Sequence, residues 1–219
     1  MRYVTTTKST LAAGPVLAPV LSAAIALVMG LFMGLVMGLG PGKVRAEEAP
    51  PLKGLLKYNF ILLDQPAPAP EAPGVTDAFG GRVGLADFRG QVVLVNFWAT
   101  WCAPCVHEMP SLDRLQARLG PEGLLVMAVS QDRKGLAAAE PFYREQGLDN
   151  LEIFLDPKGD FARAMGVAGL PTTLLLDDQG RIVGALEGPL EWDGPEAVEL
   201  IRFYLARRPT AGQPATEEG

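Results

Sequence analysis

The chain reads as an α/β domain with a central mixed sheet flanked by helices, and three observations predict it. Residues 92–97 form an apolar, β-branched-rich run interrupted only by Asn96, as expected of a strand covered on both faces. Runs of strand length then alternate with segments of helical periodicity, which implies parallel pairing in the middle of the sheet. Two strand-like runs late in the chain, 172–176 and 181–186, flank the turn 177–180 and add an antiparallel edge.

Taken in order, the chain begins with an export signal. Residues 1–46 hold four basic residues (Arg2, Lys8, Lys43 and Arg45) and no acid, and no charge occurs between Lys8 and Lys43. A helix over about 20–39 would be roughly 30 Å long, the thickness of a bilayer core. The basic start should stay cytoplasmic while the bulk of the chain crosses. The apolar run is longer than a cleaved signal needs, which favours a retained anchor. Val44-Arg45-Ala46 still ends in the small residue that signal cleavage uses, so both readings stay open. Gly30, Gly34 and Gly38 recur at four-residue spacing, as in close-packing membrane helices, but a repetitive apolar anchor explains them as well.

Residues 47–73 mix charge with prolines and read as an extended linker. The apolar island 58–63 within it is either a short edge strand or part of the linker. Order is expected to begin near Val75, giving a folded domain over 74–208. Gly80-Gly81 between residues 75–79 and 82–85 signals a hairpin, an N-terminal extension of the sheet. After the strand at 92–97, apolar residues recur at helical spacing from Val106 through Leu119, with Pro110 as an expected kink. Residues 124–129 are a second buried strand, 135–147 a helix and 151–155 a short strand. Asp160 is expected to cap a brief helix through Met165, and Asp193 a final helix over 195–205. The polar tail 209–219 is expected to be disordered.

The formal net charge of the 219 residues is −6. Outside residues 1–46 the balance is 15 basic against 25 acidic residues, which argues against a nucleic-acid or anionic-membrane surface on the main domain.

Cys102 and Cys105 are the only cysteines. They open the helix that follows the strand at 92–97. A thiolate is the attacking species in disulfide exchange, and the free N–H groups and dipole of a helix N-terminus favour it at Cys102. Pro104 fits a first helical turn, where an N–H is not needed. The three-residue offset puts Cys105 within disulfide reach. A purely structural bridge across a two-residue gap would remove little chain entropy. A structural zinc site usually needs four ligands, and His107 is the single histidine. A redox pair is the preferred reading, with Cys102 as nucleophile, Cys105 as the more buried resolving thiol, and neither cofactor nor metal. Two alternatives remain, a copper-binding assembly factor using the same sulfurs and a non-catalytic binding module. His107 lies on a different helix face from Cys105, so shared coordination is not expected. Glu108, three residues after Cys105, shares its face and can exchange a proton with it; it can equally be a solvated first-turn acid. Trp98 is expected in the core.

Residues 98–110, the lead-in 90–97 and the pattern Val167-x-Gly169-x-Pro171-Thr172-Thr173 together resemble the TlpA/ResA/DsbE-like thioredoxin-fold proteins over roughly residues 75–205. The resemblance implies a thioredoxin-like fold and a bacterial envelope thiol–disulfide oxidoreductase, periplasmic and held at the inner membrane. It implies protein disulfide partners, such as apocytochrome c or oxidase assembly factors, and a membrane electron donor. It gives Glu108 a functional role. It makes Pro171 a cis-proline facing Cys102, where the backbone of Leu170 can pair with an incoming peptide. Trp101, Ala103, Pro104, Leu170 and Pro171 are then the expected substrate-contacting set. Asn96 stands where cytosolic thioredoxins carry a buried acid. A carboxylate that disfavours the thiolate, with no histidine between the cysteines, points to a reductant.

Overall fold

The structure, a computed structural model, describes residues 49–52, 54 and 60–208, all within one unit of the chain, Ala49–Gly219. The expected membrane segment at about 20–39 and the tail 209–219 lie outside the described residues. Among the described residues no helix is long and apolar enough to cross a membrane.

Eight strands form one sheet: β1 (Ile61–Pro68), β2 (Val75–Asp77), β3 (Arg82–Val83), β4 (Val92–Trp98), β5 (Leu124–Ser130), β6 (Phe154–Leu155), β7 (Thr172–Leu176) and β8 (Arg181–Glu187). Their spatial order is β1-β8-β7-β4-β5-β6-β2-β3. β4 pairs in parallel with β5, and β5 with β6, while β7 runs antiparallel to both β4 and β8. The helices are α1 (Ala103–Leu119), α2 (Leu136–Gln146), α3 (Asp160–Ala164) and α4 (Pro195–Leu205).

β4 is buried at all seven positions because both sheet faces are covered. Successive strand side chains point to opposite faces. Val93, Val95 and Phe97 therefore join Met127, Phe161 and Met165 in one core. Leu94 and Trp98 join Met109, Leu112 and Leu115 of α1, with Ile201 of α4, in the other. Asn96 lies on the same face as Leu94 and Trp98, turned toward α1. Helix α1 continues through Pro110 to Leu119.

Four expectations are corrected. Order does not begin at Val75: within the expected linker 47–73, β1 pairs antiparallel with β8, with an irregularity between Leu62 and Ala67. Prolines are tolerated there because an edge strand leaves one side unpaired. Asp160 does not cap α3; Gly159 holds the cap position at φ 69°, and the Asp156 carboxylate accepts the Ala162 amide at 2.9 Å instead. Asp193 does not cap α4 either. Gly194 is the cap residue, and Asp193 binds Arg114 Nε at 2.6 Å. The strand expected over 151–155 shortens to Phe154–Leu155.

Gly184 allows β1 to lie across β8. A Cβ there would stand 2.6 Å from the buried Phe60 ring and 3.0 Å from the Ile61 carbonyl oxygen. Gly184→Ala is expected to lower unfolding stability by about 1–3 kcal/mol in urea and to speed amide exchange in β1; unchanged stability and exchange would contradict this packing.

Candidate active site

The loop from Trp98 to Cys102 is held before it reaches the cysteines. Thr100 donates its backbone N–H to Asp132 Oδ2 at 2.9 Å and its hydroxyl to Oδ1 at 2.7 Å. Ser130 Oγ donates to Asp132 Oδ2 at 2.9 Å, so this buried carboxylate ties the end of β5 to the loop. Cys102 is the N-cap residue of α1, and its sulfur accepts the Cys105 amide at 3.3 Å. The two sulfurs are joined in a disulfide, with the Cα atoms 5.2 Å apart. Cys102 keeps 6% exposure and Cys105 none. Trp101 is 69% exposed beside them, Ala103 and Pro104 are exposed, and Trp98 is fully buried. His107 is exposed, and no cluster of three potential metal ligands exists among the described residues.

Glu108, three residues after Cys105 on α1, is only 2% exposed. Its Oε1 accepts Asn96 Nδ2 at 2.8 Å, and the same amide donates to Thr173 Oγ1 at 2.9 Å. Its Oε2 accepts the Leu190 amide and the Trp192 indole N–H, both at 3.2 Å. Ser111 Oγ, one turn on, accepts the Trp192 amide at 3.0 Å. Glu108 is thus a buried junction between α1, β4 and the segment joining β8 to α4, and the solvated-acid reading does not hold.

The Leu170–Pro171 peptide is cis. Phe97 of β4 pairs with Thr172 of β7, so register carries Pro171 to the sheet end where β4 leads into the cysteine loop. Pro171 is buried and its carbonyl accepts the Gly188 amide at 2.9 Å. Leu170 is half-buried against both cores.

Comparison with known proteins places this geometry. The redoxin family pattern matches residues 64–201. The chain belongs to the redoxin family. Within it, the chain is 34% identical over 139 residues to the thiol-disulfide oxidoreductase ResA of Bacillus thuringiensis subsp. konkukian (strain 97-27), covering 63% of this chain and 76% of that one. ResA of Bacillus subtilis (strain 168) is 32% identical over 114 residues, 52% of this chain and 63% of its own. A Chlorobium tepidum structure assigned as the thiol:disulfide interchange protein DsbE superposes with TM-score 0.58 at 31% identity, covering 65% of this chain and 99% of that one. A secreted thiol-disulfide isomerase from Corynebacterium glutamicum superposes with TM-score 0.55 at 26% identity, covering 67% and 90%. This redoxin has the thioredoxin-like fold and is a thiol–disulfide oxidoreductase of the ResA/DsbE type carrying the Cys102–Cys105 pair.

The redoxin's sequence pointed to both cysteines, Glu108 and the cis-proline loop. It gave no signal for Asp132, Leu190 or Trp192. Trp192 stands 84 positions from Glu108 and reaches it only through the fold. Thr173 entered the sequence reading only as the last residue of the cis-proline pattern.

Burial is the main influence on Glu108 and pushes its carboxyl up from 4.5 to about 7. The Asn96, Leu190 and Trp192 hydrogen bonds oppose that rise, and the Glu191 charge adds to it. A carboxyl whose folded value is raised contributes its stability below the unfolded value and loses it as pH climbs through the folded one. The window therefore runs from about 4.5 to about 7. Urea unfolding of the oxidised protein should show the stability of Glu108→Gln, relative to wild type, rising between pH 5 and 8 by up to about 3 kcal/mol. A pH-independent difference would contradict the burial argument.

Proposed function

We propose that the protein reduces disulfides of protein partners outside the cytoplasm, with Cys102 as nucleophile and Cys105 as resolving thiol. The observation that carries this reading is the asymmetry of the pair: Cys102 sits at the open end of α1 with part of its surface exposed, whereas Cys105 is sealed. Starting from the dithiol, the Cys102 thiolate attacks one sulfur of a partner disulfide and the other partner sulfur leaves as a thiolate. Glu108 takes the proton of Cys105. The Cys105 thiolate then attacks Cys102 Sγ, the remaining partner sulfur leaves, and two electrons have passed to the partner. Return to the dithiol requires a thiol reductant, assigned here to a membrane electron donor.

Trp101, Ala103 and Pro104 are assigned as the contact surface around the sulfur. Trp101 also borders a cleft of about 720 Å³ whose other walls include Arg133, Lys134, Pro141 and Phe142. The Leu170 N–H and C=O make no hydrogen bond among the described residues, which suits pairing with an extended partner segment alongside Pro171.

The reductant direction is supported by Glu108. A buried carboxylate disfavours a neighbouring thiolate, whereas an oxidant is made by stabilising its reduced form. The envelope location, with an inner-membrane anchor over about 20–39, is supported by that uncharged run and by the secreted relative from C. glutamicum. Partners in cytochrome c maturation or oxidase assembly are inferred from the family resemblance. The copper-carrier alternative is less favoured, since no histidine or carboxylate gathers with the two sulfurs as a third ligand among the described residues.

Cys105→Ala should accumulate mixed disulfides through Cys102, and Cys102→Ala should not. Equilibration with glutathione should give a potential near that of thioredoxin, about −270 mV. Absence of trapped adducts would contradict the cycle, and a potential near about −120 mV, that of a strong oxidant, would contradict the direction.

A further inference from the structure

Glu108 has one hydrogen-bond partner that neither its helix nor the central sheet supplies as a side chain. The segment from Gly188 to Asp193 leaves β8, crosses to α1 and enters α4. It is fastened along the way. Gly188 N–H donates to the Pro171 carbonyl at 2.9 Å. Leu190 N–H reaches Glu108 Oε2 at 3.2 Å, and Trp192 N–H reaches Ser111 Oγ at 3.0 Å. Arg114 of α1 takes Asp193 at 2.6 Å and Glu191 at 3.6 Å. The outcome is a tryptophan that is 1% exposed, with its indole N–H 3.2 Å from Glu108 Oε2.

We propose that Trp192 is a positioning residue for disulfide exchange: its indole N–H fixes the Glu108 carboxyl and sets the pH at which Glu108 passes a proton to or from Cys105. The inference rests on the Glu108 role assigned above. An indole donates only, so this bond always favours the carboxylate form. Leu190 N–H acts the same way, but it belongs to the backbone and no side-chain substitution removes it. The groups around Glu108 are few. Cys105 shares its helix, β4 and β7 present the neutral Asn96 and Thr173, and the crossing segment brings Glu191, the charged neighbour whose field opposes the carboxylate. Trp192 therefore counteracts both burial and Glu191. Replacing it should shift the proton transfer toward higher pH.

The test is Trp192→Phe in the full chain, which keeps an aromatic ring and removes the donor. Glu108 is followed by carbon NMR of its carboxyl, and disulfide-exchange rate is measured across pH on a synthetic peptide disulfide. The Glu108 midpoint should rise by roughly half to one pH unit, the size expected for losing one charge-assisted hydrogen bond. The exchange profile should move in the same direction, and that difference should disappear when both proteins also carry Glu108→Gln. A folded Trp192→Phe protein with an unmoved Glu108 midpoint overturns the inference. The two ideas fail separately: a Glu108→Gln profile identical to wild type sinks the proton-transfer role, and with it the catalytic half of this inference, whatever the midpoint does. If Trp192→Phe does not fold, the Trp192 indole N–H resonance in the wild type decides. It should titrate with the Glu108 midpoint and become flat in Glu108→Gln; a resonance indifferent to Glu108 overturns the inference.

Discussion

A carboxyl group this deeply buried needs donors, and the supply of donors to Glu108 organises the active end of the molecule. Taking a carboxylate out of water is costly unless hydrogen bonds replace the lost solvation. Here Asn96 comes from the central strand, and Leu190 and Trp192 come from the segment between β8 and α4. Meeting that requirement joins α1, β4 and the segment between β8 and α4. Asn96 gives both amide hydrogens to this network, and its own buried Oδ1 has no hydrogen-bond partner among the described residues. An unsatisfied buried acceptor costs about 1–3 kcal/mol.

The asymmetry of the pair follows from ordinary helix geometry. The first residue of a helix faces outward at the open end, and the residue one turn on faces the sheet. β4 ends in a loop fastened by Asp132, so Cys102 meets solvent at a fixed place while Cys105 packs into the core. Glu108 is a further turn inward on the same face. In the proposed cycle, position along one helix thereby separates a sulfur that meets partners, a sulfur that closes the cycle, and a carboxyl that serves the second sulfur. Pro171 reaches the same sheet end through the register of β7 on β4.

Much of this was legible because it is local. Residues 92–97 announced a doubly covered strand, the spacing after Cys105 announced α1, and Gly80-Gly81 announced the β2–β3 hairpin. The greater burial of Cys105 followed from its place one turn in. What was hidden depends on contacts far apart in sequence. The island at 58–63 left an edge strand and a linker both open; β1 is that edge strand, and it runs on through Pro66 to Pro68, where prolines gave no strand signal. The caps on α3 and α4 were assigned to Asp160 and Asp193, whereas glycines hold both cap positions, and those carboxylates pair with Arg163 and Arg114. Glu108 was identified, but its burial was not, because nothing near it in sequence says that Trp192 will cover it.

In the proposed cycle the Glu108 carboxyl and the Cys105 thiol share a site closely enough for each to govern the other's proton. Two such groups titrate as a coupled pair. The direct measurement is the ultraviolet thiolate absorbance of Cys105 against pH in Cys102→Ala, with Glu108 present and with Glu108→Gln. Removing the carboxylate should lower the Cys105 midpoint, because a negative neighbour disfavours the thiolate. Superimposable titrations in the two proteins would contradict it.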